Sequence, residues 1–167
     1  KVMKSPTQQA GPGETGEIWF RSGCMMTGYY NNLEASAEAF ADGGWYKTGD
    51  VARLDEDSYL YMVDRSKDMI VTGGENVYSK EVEDVISACP GVVEVAVIAL
   101  KHTEWGETVA AIVVGAKDSN INGDQIKKFL SDKLAKYKVP KIFKFVDSLP
   151  HTPSGKVMKY QLREMYD

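Results

Sequence analysis

Apolar positions along this chain form two stretches of different texture, parted by a short run that has none. In the first stretch, GEIWFRS (16–22) alternates Ile18 and Phe20 with Glu17, Trp19 and Arg21. That period predicts a half-buried strand with Ile18 and Phe20 facing inward. The preceding GPGETG (11–16) is turn chemistry. Asn32 to Phe40 predicts a short helix capped by Asn32, ending before Asp42, Gly43 and Gly44. Val51–Leu54 and Tyr59–Val63 read as two strands, joined by a hairpin turn over Asp55, Glu56, Asp57 and Ser58.

The parting run is DRSKD (64–68), charged and without an apolar residue. It predicts a boundary, with residues 1–64 on one side, a hinge over 65–68, and residues 69–167 on the other. Beyond it, Met69–Val71 and Val77–Tyr78 flank Gly73, Gly74, Glu75 and Asn76 as a hairpin. Ser79 is placed to cap a helix with Val82, Val85 and Ile86 on one face, ending near Pro90 and Gly91. Val92–Leu100 and Val109–Val114 are apolar, β-branched runs that predict buried strands. Asn122 predicts the cap of a helix carrying Ile126, Phe129, Leu130 and Leu134. Ile142–Val146 predicts another core strand, and Lys159–Tyr166 a last short helix. The order is that of an α+β unit: a small domain with helices packed on a short mixed sheet, preceded by a β-rich piece.

Composition changes this picture little. The 167 residues are 43% hydrophobic and 26% charged, with a formal net charge of −4, a balance that argues against non-specific nucleic-acid binding. Cys24 and Cys89 lie far apart, and His102 and His151 are isolated, so no zinc-like spacing is present and no metal ligand is predicted. Two unpaired thiols in a chain this size lead to an expectation of a reducing, cytoplasmic setting. No apolar run approaches the ~20 residues of a spanning helix. The first residues read as mid-protein, so the expectation is a piece of a longer chain.

Four segments carry candidate chemistry: GWYKTGD (44–50), DRSKDMIVTGGENVYSKEVE (64–83), KVPK (138–141) and LPHTPSGK (149–156). A glycine before Asp50 presents a carboxylate able to accept from two vicinal hydroxyls, or merely forms a β-turn. The guanidinium of Arg65 suits ribose, phosphate or carboxylate oxygens, or a surface salt bridge. Gly73 and Gly74 tolerate positive φ, which serves a tight hairpin or a bare backbone past which a thin ligand can slide. Gly155 beside Lys156 places a cation on a mobile tether, suited to phosphoryl charge or simply exposed. The pattern is not a phosphate-binding P-loop, since Val157 follows the lysine.

In this order and spacing, with GETGEIWFRS, MTGYYNN, VAVIAL and KYKVPK between them, the four segments resemble the C-terminal part of the adenylate-forming (AMP-binding) superfamily. The chain looks closest to acyl-CoA synthetases and fatty-acid–CoA ligases. The resemblance implies a fragment of an ATP-dependent acid–CoA ligase, acting on a fatty or medium-chain acid through acyl-adenylate formation and then thioester formation. ATP, Mg2+ and CoA are the implied cofactor, metal and thiol substrate, with the Mg2+ ligands, the phosphate loop and the acyl pocket upstream of this chain. Asp50 and Arg65 would hold the ribose, with Met62 near the adenosine. Lys67 would be the hinge and Lys156 the catalytic lysine of adenylation. Gly73, Gly74, Glu75 and Trp105, the last in HTEWGE, would line the CoA channel after the small domain rotates. The fragment alone is expected to be inactive. Alternatives are the C-terminal part of an aryl- or other-acid ligase, and a non-catalytic interaction module that keeps the fold. The first 64 residues resemble part of a β-barrel, whose unpaired edges would be a route to homo-oligomers.

Overall fold

The computed structural model describes residues 1–167, and the chain divides into two compact units, Lys1–Lys67 and Asp68–Asp167.

The first unit is an antiparallel sheet with one short helix. Its elements are β1 (Val2–Ser5), β2 (Gln8–Gln9), β3 (Thr15–Phe20), α1 (Leu33–Ala39), β4 (Phe40–Ala41), β5 (Trp45–Leu54) and β6 (Leu60–Arg65). The strands lie in the order β2-β1-β3-β5-β4, with β6 also paired to β5. The predicted helix forms as read, with the Asn32 side chain accepting from the Ala35 N–H at 3.0 Å. The inward face of β3 differs from the reading. Trp19 is 6% exposed, whereas Phe20 is 52% exposed. The extra residues at the β3–β5 irregularity lie on β5, opposite Ile18, so the alternation of β3 runs on: Trp19 shares a face with Glu17, to which its Nε1 donates at 2.9 Å. The buried apolar set is small: Val2, Met3, Trp19, Val51 and Ala52. Tyr30 and Leu33, by contrast, are 93% and 88% exposed.

The second unit is α+β, built on β7 (Ile70–Thr72), β8 (Glu75–Val77), α2 (Ser79–Ser87), β9 (Val92–His102), β10 (Gly106–Gly115), α3 (Gly123–Leu130), β11 (Ile142–Phe145) and α4 (Lys159–Tyr166). The sheet runs β11-β10-β7-β8, with β9 on β10. It is mixed as expected: β10 pairs parallel to β11 and antiparallel to β7 and β9. Both faces are covered, which is why β9 and β10 read as unbroken apolar runs. Val95 and Val97 pack with Val82, Ile86, Ile126 and Leu130 of α2 and α3. Ala96, Ile98 and Leu100 pack instead with Leu149 and Leu162, the latter on α4. Fully burying a side chain such as Ile98 stabilises by about 1.5–3 kcal/mol.

Three local readings are revised here. The β7–β8 turn is only Gly73-Gly74, so Glu75 and Asn76 belong to the strand. Asn122 does build a capping box with Gln125, but its helix stops at Leu130 and Leu134 packs on the core from outside it. Ser79 is not the cap of α2. That position is Tyr78, without a side-chain cap, and Ser79 is the fully buried first residue of the helix. Its hydroxyl accepts from Lys159 Nζ at 2.7 Å, a partner eighty residues away that no local rule anticipates.

Candidate functional site

In the first unit, Thr48, Gly49 and Asp50 lie within β5 rather than at a strand start. Gly49 has φ +73°, a conformation that most residues resist, and its N–H donates to Glu17 Oε1 at 2.9 Å. Thr48 Oγ1 donates to the Ile18 carbonyl at 2.8 Å and accepts from the Asp50 N–H at 3.1 Å. These bonds fix the backbone that carries the Asp50 carboxylate. Arg65 stands directly across the β5–β6 ladder, and its Nε donates to Asp50 Oδ1 at 3.2 Å. Both side chains remain solvent-accessible, which leaves acceptor and donor capacity for hydroxyls. Met62 is exposed on β6 and opposes Ala52, not Asp50. Tyr46, also on β5, has its phenol pKa raised, first by the hydrogen bond with Tyr29, then by burial, with the Asp50 carboxylate adding to it. Lys67 sits in the single helical turn Ser66–Asp68 that follows β6.

In the second unit, the β7–β8 hairpin and the start of β10 border a cleft of about 470 Å³. Thr72, Gly73, Glu75 and Trp105 line it on one side, with Lys136, Tyr137 and Lys141 among its other walls. The Gly73 N–H donates to the Trp105 carbonyl at 3.1 Å. The turn that presents the indole is shaped by His102, whose Nδ1 accepts from the N–H groups of Glu104 and Trp105 at 3.2 and 3.3 Å. Two aromatic faces beside two ammonium groups suit a ligand with a flat ring and anionic oxygens. Gly73, Glu75 and Trp105 are thus brought together, while Gly74 faces open space at the turn apex.

Lys156 occupies a closed turn of the second unit. The His151–Val157 bridge pins the base of that turn. Within it, Thr152 N–H donates to the Lys156 carbonyl at 2.8 Å, and Gly155 N–H to the Thr152 carbonyl at 2.9 Å. The Lys156 N–H donates to Thr152 Oγ1 at 3.1 Å. The backbone is therefore ordered while the ammonium is exposed.

The sequence reading assigned no role to His102, Tyr137, Lys136 or Lys141, although KVPK had drawn attention to that stretch. It also missed a set of side-chain pairs. Lys138 Nζ meets both oxygens of Glu81 at 2.7 Å, His151 Nε2 lies 2.7 Å from Glu94 Oε1, and Arg163 Nη2 lies 2.6 Å from Asp68 Oδ1. No group of three or more His, Cys, Asp or Glu side chains converges.

Residues 81–156 match the AMP-binding enzyme C-terminal domain. The chain is 47% identical over 151 residues to the long-chain-fatty-acid–CoA ligase FadD13 of Mycobacterium tuberculosis, covering 90% of this chain and 30% of that protein. It is equally 47% identical over 155 residues to the feruloyl-CoA synthase of an Amycolatopsis species, covering 93% and 31%. Among solved structures, ATP-bound MatB from Rhodopseudomonas palustris superposes with a TM-score of 0.92 at 41% identity, over 99% of this chain and 33% of that one. The chain therefore spans about a third of the length of the curated relatives it matches. With a shared fold, two relatives near one-half identity and the family domain over 81–156, the chain belongs to the adenylate-forming superfamily and contains its AMP-binding enzyme C-terminal domain.

Proposed function

We propose that this chain is the C-terminal part of an ATP-dependent acid–CoA ligase. The observation that carries the reading is the Asp50–Arg65 pair: a carboxylate and a guanidinium side by side on one strand ladder, both accessible. Such a pair can hold the vicinal hydroxyls of a ribose, the carboxylate accepting and the guanidinium donating. Met62 covers the adenosine in this reading, and Lys156 approaches the α-phosphate and the substrate carboxylate. In the first half-reaction a carboxylate oxygen attacks the α-phosphorus of ATP, forming acyl-AMP and releasing pyrophosphate. The exposed Lys156 ammonium offsets the charge that gathers on the phosphoryl oxygens. In the second, a thiolate sulfur attacks the acyl carbon and AMP leaves.

The cleft supports the thiol half. The bare backbone at Gly73 and Gly74 borders the pantetheine path, with Glu75 beside it. Trp105 offers a ring face for the adenine of CoA, and Lys136 and Lys141 offer cations for its phosphates. Lys67 is the pivot about which the second unit turns between the halves. Mg2+ would act on the ATP phosphates through ligands outside this chain.

The acid is a fatty or medium-chain acid in this proposal, and the enzyme works in the cytoplasm. A second reading, an aryl-acid ligase, is favoured by the equal 47% identity to a feruloyl-CoA synthase. The deciding experiment measures AMP release by the full-length protein with ATP, CoA and a panel of saturated fatty acids and hydroxycinnamic acids. Faster turnover of the aryl acids replaces the first reading with the second. No AMP release with any acid overturns both. Residues 1–167 alone are expected to give no turnover.

A further inference from the structure

We propose that Lys159 is a positioning residue that sets the pose of Lys156. The inference rests on the reading above, in which Lys156 serves acyl-adenylate formation.

The observation is an anchored cation three residues beyond an exposed one. Lys159 is the first residue of α4, and its side chain is only 16% exposed. Its Nζ lies 2.6 Å from Glu83 Oε1, itself 15% exposed, and donates to Ser79 Oγ at 2.7 Å. Glu83 Oε1 also accepts the Val97 N–H at 2.7 Å, so the anchor reaches both α2 and the strand β9. One helical turn on, Arg163 meets Asp68 at 2.6 Å. Residues four apart share a helix face, so the whole contact face of α4 is clamped.

Three physical points turn this anchor into a device for Lys156. First, the N-cap position of α4, Met158, supplies no side-chain cap. The first turn of α4 is held in place by the Lys159 ion pair rather than by capping. Second, the opposite leg of the Lys156 turn is held by His151 against Glu94, and the Met158 N–H donating to the Pro150 carbonyl at 2.8 Å, with the His151–Val157 bridge, ties the two legs together. Releasing Lys159 would therefore let the joined turn follow any shift of the start of α4, pivoting on the His151–Glu94 contact. Third, a buried ion pair seldom stabilises a fold more than apolar side chains of similar volume would. An apolar residue could hold α4 on the sheet, as Leu162 already does. What the pair adds is a fixed position for the chain immediately after Lys156. Misplacing a catalytic group by ~1 Å is enough to cost on the order of 100-fold in rate.

The test uses the full-length enzyme and reads the two half-reactions separately: pyrophosphate release from acid and ATP, and AMP release from supplied acyl-AMP and CoA. Lys159→Met, which keeps the apolar stem, is expected to lower kcat for pyrophosphate release by about 10- to 100-fold with the KM for ATP within about threefold. The thioester half should stay within about threefold of the parent, and Lys159→Arg should recover most of the loss. Parallel loss in both half-reactions assigns Lys159 a purely structural role and overturns the proposal, as does an unchanged rate in both. If Lys159→Met fails to fold, Glu83→Gln gives the same reading from the partner side. Lys156→Ala is the separate check: if it retains pyrophosphate release, the role given to Lys156 fails. If it is inactive while Lys159→Met is unaffected, only the present inference fails.

Discussion

Gly73 and Trp105 sit so close that the hairpin has no room for a side chain. A Cβ built on Gly73 would stand 2.9 Å from Trp105 Cε3, and the residue has φ +58°. Gly73→Ala must therefore displace the indole and strain the backbone at once. The expected cost is about 1–3 kcal/mol in the stability of the second unit. In the full-length enzyme the KM for CoA should rise more than that for ATP. Gly74→Ala has nothing within 4 Å of its new Cβ and should lose stability without that rise. Thermal melts with kinetics of both variants check the pair of outcomes.

Arg65 and Asp50 predict the opposite pattern. Both side chains are accessible, so their mutual ion pair contributes little to stability, about 0–1 kcal/mol. Asp50→Asn should melt close to the parent. In the full-length enzyme it should weaken use of ATP by roughly 10- to 150-fold, the loss of hydrogen bonds to a charged group worth about 1.5–3 kcal/mol. Pyrophosphate release against ATP concentration measures it. An unchanged KM and kcat would remove Asp50 from the nucleotide site.

Lys156→Ala should separate catalysis from folding completely. The side chain is exposed, and the turn is held by backbone bonds and Thr152. Stability should change by less than about 0.5 kcal/mol, while acyl-adenylate formation falls by at least ~10²–10³. Trapping the acyl-adenylate by mass spectrometry reads the loss directly.

The two thiols should differ in reactivity. Cys24 is exposed and Cys89 is buried. Burial pushes the Cys89 thiol pKa up, with Lys133 opposing the shift only in part. At pH 7–8, a thiol reagent should label Cys24 in the folded protein and reach Cys89 only on unfolding. The sign for stability follows. A folded-state pKa above the unfolded one near 8.5 means that the contribution of Cys89 is present below that pH. It is lost as pH rises toward the folded value. Cys89→Ala should flatten that alkaline decline in a melting series; equal labelling of both thiols in the native protein would contradict it.

Much of the fold was legible because it is decided by neighbours in sequence. The Gly73-Gly74 turn, the Asn32 and Asn122 caps and the β-branched runs of β9 and β10 each follow from local chemistry, and each formed. The long apolar runs also announced that both sheet faces are covered, as Val97 and Ile98 show by burying on opposite sides. The candidate site was legible in its parts, since Asp50, Arg65, Gly73, Trp105 and Lys156 stand in ordered motifs, and Asp50 and Arg65 proved to be partners.

The residues alone determined which segments become strands and helices, and which side chains bring charge or bare backbone. Only tertiary packing decided what those side chains meet. Trp19 and not Phe20 faces inward, because alternation defines two faces and only packing decides which of them is covered. Ser79 Oγ accepts from Lys159, and Asp68 holds Arg163 across ninety-five positions. Local propensity acts over one turn or one pleat. A half-buried charge chooses its partner from whatever the folded sheet brings within ~3 Å, because leaving it unpaired costs several kcal/mol.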